Sequence, residues 1–94
     1  MAMTEHTRIS RRETVVSADV SDDAILLDID SGYFFQLNRT AARIWRLLET
    51  PQTLGELTHS LRSSFPADGD AIPADLHVFV ADLVDRGIVV AAAG

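Results

Sequence analysis

The chain has 94 residues, 47% hydrophobic and 23% charged, which fits one small soluble domain and excludes two independent cores or wholesale disorder. It has no cysteine, so a disulfide scaffold, a thiolate metal or iron–sulfur site and a cysteine nucleophile are excluded, and the cytoplasm is the expected compartment. Eight arginines, no lysine and fourteen acidic residues leave a net charge of −6, opposite to the balance a phosphate-backbone binder needs.

Met1–Arg12 is polar and lacks the apolar stretch of a signal peptide. It reads as a flexible tail leading into a first short strand near Thr14–Ser17. Ala24–Asp30 is apolar and β-branched. Ile25, Leu27 and Ile29 fall on one face, and Ala24, Leu26, Asp28 and Asp30 on the other. Ser31-Gly32 supplies a turn. In the strand Tyr33–Leu37, Tyr33, Phe35 and Leu37 share one face, while Phe34 and Gln36 share the other.

Asn38 is placed to cap a helix carrying an apolar stripe of Ala41, Ile44, Trp45 and Leu48 and a polar stripe of Arg39, Arg43 and Arg46. Thr50-Pro51 ends it, because the residue before proline avoids helical angles. Thr53 and Glu56 form a capping box for a second helix with Leu54, Leu57 and Leu61 inward. After a Phe65–Ala71 loop, Pro73 suits the first turn of a third helix, whose apolar stripe is Leu76, Phe79, Val80, Leu83 and Val84. Gly87 closes that helix, and Ile88–Val90 is a short strand or docking segment before a tail at 91–94. The domain proper is therefore expected over 13–90. The order predicts an α+β, winged-helix-like fold: a three-stranded antiparallel β-sheet packed on three α-helices.

Catalytic chemistry is hard to find. His6, His59 and His77 lack a histidine at metal-ligand spacing, no glycine-rich phosphate loop is present, and no serine or threonine sits in a nucleophile elbow. Asp28 and Asp30 are paired carboxylates, but at a hairpin end they are expected in water. No catalytic residue, metal or cofactor is implied. No apolar run approaches the roughly 20 residues of a membrane helix. A DNA-reading third helix would present Arg, Lys or Asn, whereas this one presents Asp75, Asp82 and Asp85. Neither a membrane nor a nucleic-acid partner is expected. An aromatic edge strand beside an amphipathic helix can instead accept an extended peptide by strand addition. Such an edge can also pair with a second copy of the chain, giving a homodimer.

The run Ile25-Leu-Leu-Asp-Ile-Asp-Ser-Gly-Tyr-Phe-Phe-Gln-Leu-Asn38, followed by Ala41-Ala-Arg-Ile-Trp-Arg-Leu-Leu48, resembles the PqqD family. Thr53-Leu-Gly-Glu-Leu57 and Phe79–Ile88 extend the likeness to about Asp22–Val89. The resemblance implies a noncatalytic recognition element that binds the leader segment of a ribosomally made precursor peptide and delivers it to a maturation enzyme, a leader peptidase or a radical enzyme. It also implies that the leader adds to the strand Tyr33–Leu37 in a cleft shared with the third helix. The peptide-binding residues expected on that basis are Tyr33, Phe34, Phe35, Gln36, Leu37, Asp75, Val78, Phe79 and Asp82. The acidic flank of the third helix would favour leader Lys or Arg. A short, freestanding chain points to lasso-peptide biosynthesis. A chaperone of the pyrroloquinoline-quinone pathway, a DNA-binding regulator and a subunit that docks an enzyme without touching its substrate are the alternatives.

Overall fold

The computed structural model describes residues 3–93. Its strands are β1 (Arg8–Arg11), β2 (Val15–Val20), β3 (Asp23–Asp28), β4 (Phe34–Leu37), β5 (Gln52–Thr53) and β6 (Val89–Ala92). Its helices are α1 (Arg39–Leu47), α2 (Leu54–Ser64) and α3 (Ile72–Asp85), with a 3₁₀ turn at Pro66–Asp68 before α3. The strands make two antiparallel three-stranded sheets, ordered β2-β3-β4 and β5-β1-β6.

The first sheet is the expected meander, and its register follows from burial. Leu26 lies opposite Phe35 and Ala24 opposite Leu37, on the face that packs against α1. Ala24 and Leu26 are fully buried, so a one-residue slip would expose the whole apolar set. The outer row Val16–Leu27–Phe34 runs across all three strands. The β2–β3 turn is a two-residue loop at Ser21-Asp22, with Ser21 in the left-handed region at φ 56°. Asp28 departs from the expectation of a carboxylate in water: it is buried, on the core face with Leu26. Its Oδ1 accepts the Asp30 N–H (3.1 Å), and its carbonyl accepts the N–H of Gly32 (2.8 Å). At φ 76°, Gly32 takes a conformation that side chains disfavour, so Asp28 and Gly32 together close the hairpin.

The second sheet corrects the expectation for both ends of the chain. Residues 8–11 are the central strand, paired with β5 on one side and β6 on the other, and Ile9 is fully buried. Ala91 and Ala92 continue β6, paired with Ile9 and Arg8. The physical reason is pairing: β1 buries a single apolar side chain but satisfies main-chain groups on both edges. The parts of the expected tails at Met1, Ala2 and Gly94 lie outside the described residues.

Local chemistry explains the helix limits. The Asn38 side chain accepts the Ala41 N–H (3.0 Å), and Thr53 with Glu56 forms the full capping box. At the end of α3, the Ile88 N–H donates to the Leu83 carbonyl (2.9 Å) and the Gly87 N–H to Val84 (3.0 Å). This is the hydrogen-bond pair of a Schellman ending, with Gly87 at φ 74°. Ile88 and Leu83, the apolar pair of such an ending, are both buried in the core.

The core joins the first sheet to all three helices through Leu26, Ile44, Trp45, Leu48, Leu57, Val80 and Ile88. In α1 the innermost alanine is Ala42, while Ala41 is half-buried. Trp45 is buried, and the Arg11 guanidinium stacks 4.1 Å from its ring centroid while donating from Nη2 to the Trp45 carbonyl. Burial pushes the Arg11 pKa down from its ordinary value, against the opposing pull of Glu49 and Asp19. The arginine stripe of α1 is engaged as well. Arg46 pairs with Asp19 (3.1 Å) and donates to the carbonyls of Asp22 and Asp23, pinning α1 to the β2–β3 turn.

Candidate peptide-binding groove

Strand β4 is an edge, and its two sides differ. The Asp28 N–H donates to the Tyr33 carbonyl (3.0 Å), which fixes the alternation of the β3–β4 ladder. Tyr33, Phe35 and Leu37 therefore turn their main-chain groups towards β3. Phe34 and Gln36 turn theirs to the open edge. An unpaired edge of this kind is a template for another strand.

That edge opens on a groove of about 870 Å³. The sheet side is Phe34, Phe35, Gln36 and Leu37, the floor includes Ala41, Ile44 and Leu76, and the far wall is one stripe of α3: Asp75, Phe79, Asp82 and Arg86. These four wall residues recur at spacings of three and four, so they share a helix face. Ile72, Leu76, Val80 and Leu83 are buried beneath them. The floor is apolar and the rim is charged. Asp82 and Arg86 form an ion pair (2.9 Å), and the Arg86 guanidinium stands 5.7 Å from the Phe35 ring centroid.

Seven of the nine residues anticipated from the sequence line this groove: Phe34, Phe35, Gln36, Leu37, Asp75, Phe79 and Asp82. Tyr33 and Val78 do not. Tyr33 precedes the strand and is 68% exposed. Val78 is 69% exposed, about 60° round the helix from Asp75 on the side away from Leu76. It was expected on the wall because it lies among Asp75, Asp82 and Asp85 on the acidic flank of α3, but the geometry turns it to solvent. Arg86 was missed, although its place four residues after Asp82 signals it. The Asp68 and Ala71 contributions come from the loop before α3, where no periodic signal exists.

A second, shallower groove of about 550 Å³ brings His6 and His59 near Glu5 and Glu56. Among the described residues no group of three or more His, Asp or Glu side chains is arranged to hold a metal ion. No helix among the described residues is long and apolar enough to cross a membrane.

An open strand edge beside a helix wall, in a fold of winged-helix-like form, is the geometry to which an extended peptide can add as a further strand. The family model "Coenzyme PQQ synthesis protein D (PqqD)" matches residues 23–89, and the chain belongs to the PqqD family. The matched span begins at β3 and runs into β6, so it contains β4, the groove floor and α3. The fold is similar to a solved structure described as "TbiB1 in Complex with the TbiA(beta) Leader Peptide", with a TM-score of 0.79 and 28% identity, covering 85% of this chain and 93% of that one. No curated protein matches the chain.

Proposed function

We propose that this protein is a noncatalytic chaperone that captures the leader of a ribosomally made precursor peptide and delivers it to a maturation enzyme. The observation that carries the reading is the open edge of β4 facing the α3 wall. The free N–H and C=O groups of Phe34 and Gln36 pair with an extended leader. Side chains of that leader alternate between the groove floor and the outer face beside Phe34. Phe34, Phe35, Gln36, Leu37, Asp75, Phe79 and Asp82 are the contacts proposed for it. Similarity to a protein solved with a leader peptide supports the reading. The lasso-peptide pathway is the setting favoured for it. The family description, which names pyrroloquinoline-quinone synthesis, favours the quinone-cofactor pathway as the second reading.

The test is a fluorescence-anisotropy titration of labelled leader peptides from both classes of precursor, with duplex DNA in parallel. Saturable binding to one leader and none to DNA is expected. Gln36→Pro removes one open-edge N–H without touching the β3 ladder, so it should melt like the native protein and lose leader binding. Equal affinity of Gln36→Pro and native protein for the leader would overturn strand addition at β4.

A further inference from the structure

Resting on that reading, we infer that the groove selects a peptide carrying Lys or Arg on the N-terminal side of its apolar anchors, set against Asp75. The apolar groove and open edge are the site; the charges decide which strand it prefers.

Charge is unequally distributed along the α3 wall. At its C-terminal end Asp82 is neutralised by Arg86. At its N-terminal end Asp75 and Asp68 also line the groove, and neither takes part in the ion pairs among the described residues, which are His6–Glu5, Arg46–Asp19 and Arg86–Asp82. Arg62 donates to the Gly69 carbonyl (3.1 Å) behind Asp68 and offsets part of its charge. Asp75 is left as the main uncompensated carboxylate.

Direction follows from two contacts. Arg86, after the last turn of α3, stands over Phe35 in β4. Arg43, which follows β4 in the chain, donates to Ser64 (3.2 Å), just before the Pro66–Asp68 turn. The start of β4 thus lies by the end of α3, and strand and helix are inferred to run in opposite directions across the groove. A peptide antiparallel to β4, the pairing used throughout both sheets, has its N-terminal part beside Asp75 and its C-terminal part beside Phe35 and Arg86. Asp75 and Asp82 are seven residues apart on α3, about 10 Å, or roughly three residues of extended chain. A basic residue about two to four positions before the anchor near Phe35 meets Asp75.

The test is a display selection of a random peptide library on the immobilised full-length protein, repeated with Asp75→Asn and Asp85→Asn. Asp85 is exposed and outside the groove, so its substitution makes the same charge change elsewhere. The native protein and Asp85→Asn should enrich apolar strand-forming peptides with Lys or Arg two to four positions before the anchor. Asp75→Asn should lose the basic preference and bind the native-selected peptide about two- to fivefold more weakly, a gap that closes in high salt. Equal melting temperatures for the two variants would separate this from damage to α3. Apolar peptides enriched without a basic residue, or with it after the anchor, overturn the inference and leave the peptide-binding reading standing. Enrichment insensitive to Gln36→Pro overturns that reading itself.

Discussion

The two sheets of this molecule are alike in size and opposite in use. In β5-β1-β6 the strand that matters is central, paired on both sides, with short edges of two and four residues. In β2-β3-β4 the strand that matters is at the edge, and the main-chain groups of Phe34 and Gln36 have no partner strand. The outer faces differ too. Among the described residues, six of the eight exposed large hydrophobics (Val16, Val20, Ile25, Ile29, Tyr33 and Phe34) lie on or beside the first sheet, against Val90 on the second. One sheet closes the domain by joining the two ends of the chain. The other spends its ladder on one side and keeps the other side available.

Substitutions should separate these roles. The largest effect is expected inside either sheet's ladder. Ile9→Ala empties a fully buried site and should cost about 2–5 kcal/mol, a large share of the stability of so small a domain, read as a fall in the thermal or urea midpoint. Phe35→Pro removes a bond to β3 and should unfold the first sheet, in contrast to Gln36→Pro one residue on. If both prolines were equally harmless, the assignment of inward and outward main-chain groups would be wrong.

Next in size is the contrast across the groove. Phe34→Arg, on the edge and already 70% exposed, should weaken leader binding by tenfold or more in anisotropy titrations, with a melting temperature within a few degrees of native, whereas Val78→Arg should change neither. Loss of binding in Val78→Arg would move the wall of the site round α3. Smaller still is Gly87→Ala. It forces a side chain into φ 74° at the α3 ending and should cost about 1 kcal/mol in chemical denaturation without altering peptide selectivity.

The smallest effect is at the Thr53–Glu56 capping box. Bonds from the Thr53 main chain and side chain hold the Glu56 carboxyl below its usual range. A depressed native pKa gives stability that is present above the unfolded-state value and is lost as pH falls through the native one. Native protein should therefore lose a small increment of thermal stability on acidification that Glu56→Ala never has.

The contrast between the sheets also explains what could be read from the sequence. The meander is legible because its strands alternate: Ala24 and Leu26 inward with Ile25 and Leu27 outward, then Phe35 and Leu37 opposing them. The helix caps at Asn38 and Thr53 and the stop at Gly87 depend on local side-chain chemistry, and they stand where that chemistry places them. β1 was illegible because Arg8-Ile9-Ser10-Arg11 offers one apolar residue and its stability comes from pairing with strands more than forty residues away. The groove residues Phe34–Leu37, Asp75, Phe79 and Asp82 came instead from the resemblance to the PqqD family, which points to the strand by a matched motif and to the α3 wall only by its place across the cleft. Val78 lies outside the groove because a place among the aspartates of the α3 flank does not tell a groove-facing residue from one 60° away, and Arg86 was overlooked because a charged residue in an amphipathic helix reads first as solvent surface.

The account stands or falls on the open edge of β4, and residue-resolved amide hydrogen exchange reads that edge directly. In the free protein the N–H groups of Phe34 and Gln36 should exchange quickly, while those of Phe35 and Leu37, bonded to β3, should be protected. At saturation with the synthetic leader peptide that binds in the anisotropy titration, Phe34 and Gln36 should become protected as well. Protection of both in the free protein, or fast exchange of both with the leader bound, would contradict strand addition at this edge.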